Sequence, residues 1–379
     1  MKHNIPHIIL TMLIGMAFVS SCTSDPEVTD CATGVEMTFD VETASASRAS
    51  IITKDNATKQ TFNLFGTLNT SKVYINGEYF EGSKTIFDGT QVKYQSSAWN
   101  YGTTQYWLLG QEYSFVAVMP FTISGATDMT YSGSGLSFTY TLPSDLNNAI
   151  DILAATDRRK FLLNNTDLPK VSFTFSHLLA QINIQVALDE DLMYEDDDNY
   201  RGADPDYEDE YIEFHKVEIW GSKTAANFTI TPAASSSTNP DPSGTIEAML
   251  IDNATDSKLS KSFTSKKLTN NKEFVSFFSN TDALLIMPQQ FAADSEAKMV
   301  LTYTVNGNTD RLRQIEIPLA GYKWEAGKTY TYKFTVSKAY TGQIKEGSLA
   351  IEINDITDSG ANDRWISEND KLVFKFGEK

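Results

Sequence analysis

The residues that could do chemistry are few and scattered. Gly-Lys-Thr at 327–329 closes the stretch Gly321 to Thr329 and suggests a phosphate-binding loop. Counted from Gly321, the second glycine of such a loop falls at 326, and the residue there is Ala326. A strand pattern follows where the loop would need a helix N-terminus. A turn ahead of the strand at Tyr330 is the better reading. His177 and His215 lie among apolar, strand-patterned residues and are expected as hydrogen-bonded structural histidines. No Gly-x-Ser-x-Gly, His-Glu-x-x-His or Cys-x-x-Cys occurs in the chain. Without a nucleophile–base set or a ligand cluster, we expect no catalytic residue, no metal and no cofactor. The run from Asp196-Asp197-Asp198 to Asp209-Glu210 is dense in carboxylates and could hold Ca²⁺. Counted from Asp196, an EF-hand loop wants Gly where Arg201 stands, so a solvated loop that repels itself is preferred. Trp99, Tyr101, Tyr106 and Trp107 form an aromatic group on which a sugar could stack, or which could be core.

Two single residues have a different kind of chemistry. Met1 to His7 is a short polar start with Lys2, and Ile8 to Val19 is a mostly apolar run. That run suits the core of an export signal and is too short to span a bilayer. Val19-Ser20-Ser21-Cys22 follows, with small residues before a cysteine, as in the processing site of exported lipoproteins. Cys22 is therefore the expected lipidation site, and residues 1–21 the signal peptide. The alternative is an ordinary secretory peptide with Cys22 incidental. Two or three acyl chains anchor firmly at about 0.8 kcal/mol per buried methylene. Cys31 is then left without a partner and is expected to be idle. The second residue is Arg48, within Thr43-Ala44-Ser45-Ala46-Ser47-Arg48-Ala49-Ser50. A lone Arg among small polar residues is where an Arg-specific protease would cut, between Arg48 and Ala49. The other reading is an ordinary linker residue.

The remainder of the chain must position these residues. It has 379 residues, 22 Phe, 17 Tyr and 5 Trp, enough to build full cores. Lys plus Arg total 31 against 49 Asp plus Glu, a net charge of −18, which excludes nucleic acid as a natural partner. The dominant periodicity is two. Val35, Met37, Phe39 and Val41 alternate with Glu36, Thr38, Asp40 and Glu42. Tyr330, Tyr332, Phe334 and Val336 alternate with Thr331, Lys333 and Thr335. Tyr113 to Met119 is an apolar run stopped by Pro120. Asn76-Gly77 and Asn306-Gly307 predict tight hairpins. Phe173, Phe175, His177 and Leu179 share one parity, and Ile182 to Leu188 the other, so a bulge is expected near Ala180-Gln181. Many short strands with turn signals between them predict an all-β chain of sandwiches or barrels. Asn164 to Lys170 reads as a boundary, dividing the body into 49–168 and 169–379. Asp189 to Glu213 and Ala233 to Ser243 read as loops.

Cutting after Arg48 would release the anchor and the first strand together. The loss of Val35, Met37, Phe39 and Val41 would uncover about 6–12 kcal/mol of buried apolar side chain, as an upper bound. A sheet lacking a strand accepts one from another molecule. Donor candidates lie near the C-terminus. Leu349, Ile351 and Ile353 form one alternating set, and Leu372, Phe374 and Phe376 another. Both could equally be strands of the chain's own second half.

The chain resembles the Mfa-like fimbrillin family, the type V pilins. The resemblance is carried by the Cys22 processing site, Ser47-Arg48-Ala49, Asn63-Leu64-Phe65-Gly66 and Asp151-Ile152-Leu153-Ala154-Ala155. It continues through Phe175-Ser176-His177-Leu178-Leu179-Ala180, Leu285-Ile286-Met287-Pro288-Gln289 and Ala326-Gly327-Lys328-Thr329-Tyr330-Thr331-Tyr332. This resemblance implies two tandem transthyretin-like β-sandwiches behind a signal peptide, with 22–48 as a tether and removable strand. It implies an outer-membrane lipoprotein carrying palmitate-type acyl chains. It further implies maturation at Arg48, polymerisation with other fimbrial subunits by strand exchange, and adhesion to a host protein or glycan. The competing expectation is a surface lipoprotein that binds glycans on Trp99 and Trp107 without polymerising; a hydrolase has the least support.

Overall fold

The computed structural model describes residues 32–43, 51–52, 54–75, 78–108, 110–160, 170–188, 211–234, 244–252, 257–268, 273–278, 282–305, 307–338, 344–355, 364–366 and 376–378. The chain is all-β, as its alternation requires. Strands are numbered along the chain. A seven-stranded sheet has the order β2 (Thr38–Thr43), β11 (Lys170–His177), β10 (Leu153–Lys160), β7 (Glu112–Met119), β3 (Thr61–Ile75), β4 (Glu78–Gln95), β5 (Ala98–Asn100). β1 (Ala32–Glu36) pairs with β6 (Tyr106–Leu108) as a separate ribbon.

A six-stranded sheet runs β17 (Val275–Ser276), β12 (Ala180–Leu188), β23 (Lys328–Lys338), β24 (Ile344–Asp355), β25 (Arg364–Ile366), with β18 (Leu284–Ile286) also on β12. A five-stranded sheet runs β16 (Lys258–Leu268), β13 (Ile212–Trp220), β20 (Lys298–Val305), β21 (Arg313–Pro318), β26 (Phe376–Glu378). A four-stranded sheet runs β15 (Thr245–Ile251), β14 (Ala225–Thr231), β9 (Gly135–Thr141), β8 (Ala126–Ser132). β19 (Gln289–Gln290) pairs with β22 (Lys323–Trp324).

Side-chain parity explains the layers. Along β7, Phe115, Ala117 and Met119 share one core with Phe62, Leu64, Leu153, Phe173 and Phe175. Val116 and Val118 alternate with them and face a second core with Phe65, Leu136, Phe138 and Ala154. The apolar run of β7 is thus a strand buried on both faces. The second core continues between the six- and five-stranded sheets, where Ile182, Ile184, Tyr332 and Phe334 meet Phe214, Ile219, Leu301 and Ile317. Gly66 in β3 lies under two rings: a Cβ there would come 2.8 Å from Phe87 and 3.0 Å from Phe115.

Several local expectations change. The strand expected over Val35 to Val41 breaks at Met37, whose N–H donates to the Gln105 carbonyl at 2.8 Å. Its carbonyl accepts from the Tyr101 hydroxyl at 2.9 Å, so neither group is left for a continuous ladder. There is no bulge inside one long strand near Ala180. β11 ends at His177, and the chain changes sheets through the buried Leu178 and Leu179 before β12. β3 and β4 pair up to Ile75 opposite Glu78, flanking Asn76-Gly77, which lie outside the described residues. β20 and β21 do form an antiparallel pair, but the link is 306–312 rather than a two-residue turn. β10 and β11, on either side of 168/169, belong to one sheet. β9, before that position, pairs with β14, after it.

Candidate functional site

β2 closes one side of the first core. It pairs in parallel with β11 from Thr38 opposite Lys170 to Thr43 opposite Phe175. At the far end of the same sheet, β5 curls back until its Cα atoms come within 8 Å of those of β2. β2 therefore fills the gap between the two ends of a strongly curved sheet.

Phe39 is the centre of this closure and is 4% exposed. Its ring stacks on Phe173 at 6.0 Å with an interplanar angle of 5°. It meets Phe87, Tyr101 and Phe115 edge-on at 5.7, 5.3 and 5.8 Å. Met37 is buried beside it, while Val35 and Val41 are only half-buried. The four apolar residues expected to act alike are thus two deep plugs and two flanking contacts. At about 1.5–3 kcal/mol per fully buried side chain, Met37 and Phe39 together contribute about 3–6 kcal/mol of cover. On the solvent side, the Lys170 ammonium meets the Asp40 carboxylate at 2.7 Å. The hydrogen bond from Lys170 lowers the Asp40 pKa below its ordinary value.

The chain is fastened again directly beyond residue 50. Ile51 is buried in the second core and Ile52 in the first. The Ile52 N–H donates to Asp151 Oδ2 at 2.7 Å, and the Asn56 amide donates to the Ile51 carbonyl at 2.9 Å. Asp151 is itself buried and meets His177 Nδ1 at 2.9–3.0 Å. His177 ends β11, so one buried pair ties residue 52 to the strand that carries β2. Residues 44–50, including the expected cut between Arg48 and Ala49, lie outside the described residues. So do Cys22, Cys31 and the acidic run at 196–210.

The donor candidates stand in different settings. Leu349, Ile351 and Ile353 lie in β24, opposite Phe334, Tyr332 and Tyr330 of β23, and β25 pairs on the other side. Phe376 opens β26, a three-residue strand at the edge of the five-stranded sheet, where it opposes Ile315. Leu372 and Phe374 lie outside the described residues.

The other chemical candidates resolve as structure. Trp99 is 8% and Trp107 0% exposed, so of the two readings of these rings the core one holds and the sugar-platform alternative does not. Trp107 packs edge-on to Tyr113 at 4.9 Å, and Trp99 packs on Phe62 at 5.3 Å. At Gly-Lys-Thr, Gly327 adopts φ +71° and its N–H donates to the Leu179 carbonyl at 2.9 Å. β23 follows directly, so this is a turn against the sheet-switching segment. His215 Nε2 lies 2.8 Å from Thr304 Oγ1. Among the described residues no group of His, Cys, Asp and Glu could hold a metal ion, and no helix is long and apolar enough to cross a membrane.

Sequence reasoning missed Asp157. It is fully buried, and burial pushes its carboxyl pKa up to about 6 against the opposing pull of Arg159. Oδ2 accepts from Arg159 Nε at 2.9 Å and from the Ser172 N–H at 3.0 Å. The β10–β11 ladder proper covers only Leu153–His177 and Ala154–Ser176, so the Asp157 side chain stands in for backbone pairing further along. The one signal was an Asp following Leu153 and Ala155 at the same strand parity, with Arg159 next in the row.

The chain belongs to the fimbrillin-like family, whose model matches residues 47–355. No curated protein matches the chain. Among solved structures it is similar to a proposed cell adhesion protein of Bacteroides uniformis ATCC 8492, at 19% identity and TM-score 0.45, over 85% of this chain and 98% of that one. A proposed cell adhesion protein of Bacteroides ovatus ATCC 8483 is similar at 15% identity and TM-score 0.42, over 85% and 96%. A proposed polysaccharide-binding protein of Bacteroides thetaiotaomicron VPI-5482 follows at 10% identity and TM-score 0.31, over 85% and 98%.

Proposed function

We propose that this chain is a structural, adhesive subunit of a cell-surface fimbria. It is exported as an outer-membrane lipoprotein through Cys22, cut between Arg48 and Ala49, and polymerised by strand exchange. The observation that carries the reading is the position of β2. It covers the first core with Met37 and Phe39, and only residues 44–50 join it to the clamped Ile51-Ile52 pair. A cut in that segment frees the plug without loosening the body. The family match begins at residue 47, so the plug stands outside the shared pattern.

The vacated gap between β11 and β5 then takes a strand from another subunit, because its edge hydrogen bonds and apolar floor need a replacement. Leu372 to Phe376 is the donor of choice. Among the described residues, releasing β26, which shares Phe376 with that segment, breaks three residue pairings at an edge, whereas withdrawing β24 breaks ten on the β23 side alone. The interior position of Trp99 and Trp107 removes the basis for a glycan platform on those rings. A host protein or glycan ligand would have to bind elsewhere.

N-terminal sequencing of surface-extracted protein tests the cut, with Ala49 as the expected first residue. Arg48→Ala is expected to leave full-length protein that forms no strand-exchanged polymer. Normal polymer from that variant would overturn the cut, and polymer from a chain lacking 372–376 would move the donor to β24.

A further inference from the structure

Each open sheet has two edge strands, and most of those described are blunted. β5, β25 and β26 are three residues long and β17 two. β8 has a register break between Thr127 and Thr130, with Asp128 at φ +55°. β16 is irregular opposite Phe214 and Lys216 and carries Lys258, Lys261, Lys266 and Lys267. Short strands, bulges and lysines are the usual means of preventing edge-to-edge pairing.

β15 has none of these. It pairs with β14 without interruption from Ile251 opposite Ala225 to Thr245 opposite Thr231. Among the described residues no strand occupies its outer side. Its one charged residue is Glu247, and Ile246 and Met249 are 37% and 66% exposed. Ile246, Ala248 and Leu250 lie opposite the buried Ile230, Phe228 and Ala226, so they continue the core-facing row of β14. That row reaches the sheet edge and stops there, with Ile246 open to solvent.

We propose that β15 is a self-association edge, pairing antiparallel with β15 of a second copy of this chain. The sequence fits itself in one register. Opposite residues in an antiparallel pair share a sheet face, so the two-fold axis must pass through a residue position. An axis at Ala248 pairs all seven residues. It sets Ile246 against Leu250 of the second copy, Ala248 against its own image, and Glu247 against Met249. An axis at Glu247 would oppose two carboxylates directly, and an axis at Met249 would leave Thr245 and Ile246 unpaired. The Ala248 register thus extends the apolar row across the junction and keeps the only charge off its image. This pairing is independent of strand exchange, and it would join subunits side by side where the plug and donor join them end to end.

The test uses the full chain carrying Arg48→Ala, which blocks the proposed cut, and Cys31→Ser. Ala248→Cys is expected to give a disulfide-linked dimer on mild oxidation. Thr245→Cys alone is expected to give none, while mixing Thr245→Cys with Ile251→Cys restores the cross-link. Ala248→Lys places two ammoniums face to face at an exposed position. It should lower the dimer fraction by about tenfold in sedimentation, with an unchanged circular dichroism spectrum. Equal cross-linking at 245 and 248, a monomeric parent chain, or sedimentation unmoved by Ala248→Lys would each overturn the self-pairing. Capture of a different protein on the edge would do so as well. If Arg48→Ala still polymerised, the proposed cut would fail while the residue-specific cross-link pattern stayed readable.

Discussion

Phe39 and Phe173 lie parallel, 6.0 Å apart, on two strands that run in the same direction. The pair binds the plug strand to the first core, because Phe173 also packs on Phe62 and Phe175, which belong to the sheet's body. Removing the Phe39 ring leaves Phe173 without its flat partner and opens a void among Phe87, Tyr101 and Phe115.

Phe39→Ala, in the uncut Arg48→Ala background, is therefore expected to destabilise the protein by about 3–5 kcal/mol in urea unfolding. Val41→Ala, at a half-buried position, is expected to cost less than half as much. Equal costs at the two positions would mean that Phe39 is not the plug's centre.

The clamp below the expected cut gives a local prediction. Asp151→Ala leaves the Ile52 N–H without its acceptor and removes the His177 partner. An unsatisfied buried donor costs about 1–3 kcal/mol. Amide exchange at Ile52 is expected to speed up well before exchange in β7, which lies in the middle of the seven-stranded sheet. A variant with Ile52 as protected as before would show that apolar packing alone holds this segment.

Much of this architecture was legible in the residues. The alternation of Val35 to Val41 announced a strand with one apolar face, and the apolar run Tyr113 to Met119 announced a buried segment ending at Pro120. That it is a strand buried on both faces shows only in the fold, since a continuous apolar run has no period of its own. What could not be read was which strands meet. Nothing local in Lys170 to His177 says that it returns to β10, or that β9 pairs forward with β14, because such pairings depend on cores formed by residues far apart in sequence. The break at Met37 was hidden for the same reason, since its cause is Tyr101 and Gln105, more than sixty residues on. Trp99 and Trp107 showed the limit of composition: an aromatic cluster is the same in sequence whether it faces a sugar or another Phe.

Gly66 yields a prediction on packing alone. Its φ is not in the left-handed region, so the objection to a side chain is steric. A Cβ would sit 2.8 Å from the Phe87 ring and 3.0 Å from Phe115, both of which also touch Phe39. Gly66→Ala is expected to cost about 1–3 kcal/mol by forcing those rings apart. Thermal unfolding of the uncut protein measures it, and an unchanged midpoint would mean that the Phe87 ring rotates away freely.

Asp157 gives the chain a dependence on pH of defined sign. Its folded pKa, about 6, stands above the ordinary 3.8, because burial penalises the carboxylate more than Arg159 rewards it. The folded state therefore takes up the proton more readily than the unfolded one. That contribution is complete below about pH 4 and is lost as the pH rises through about 6. Asp157→Asn keeps a carbonyl oxygen for the Ser172 N–H and carries no charge at any pH. The variant is expected to exceed the wild type by about 1–3 kcal/mol at pH 7.5 and to match it near pH 4. Urea unfolding of both proteins across pH 4–8 measures the difference. A constant gap at all pH values would assign the effect to packing, and a less stable variant at pH 7.5 would show that the Arg159 ion pair outweighs the burial of the charge.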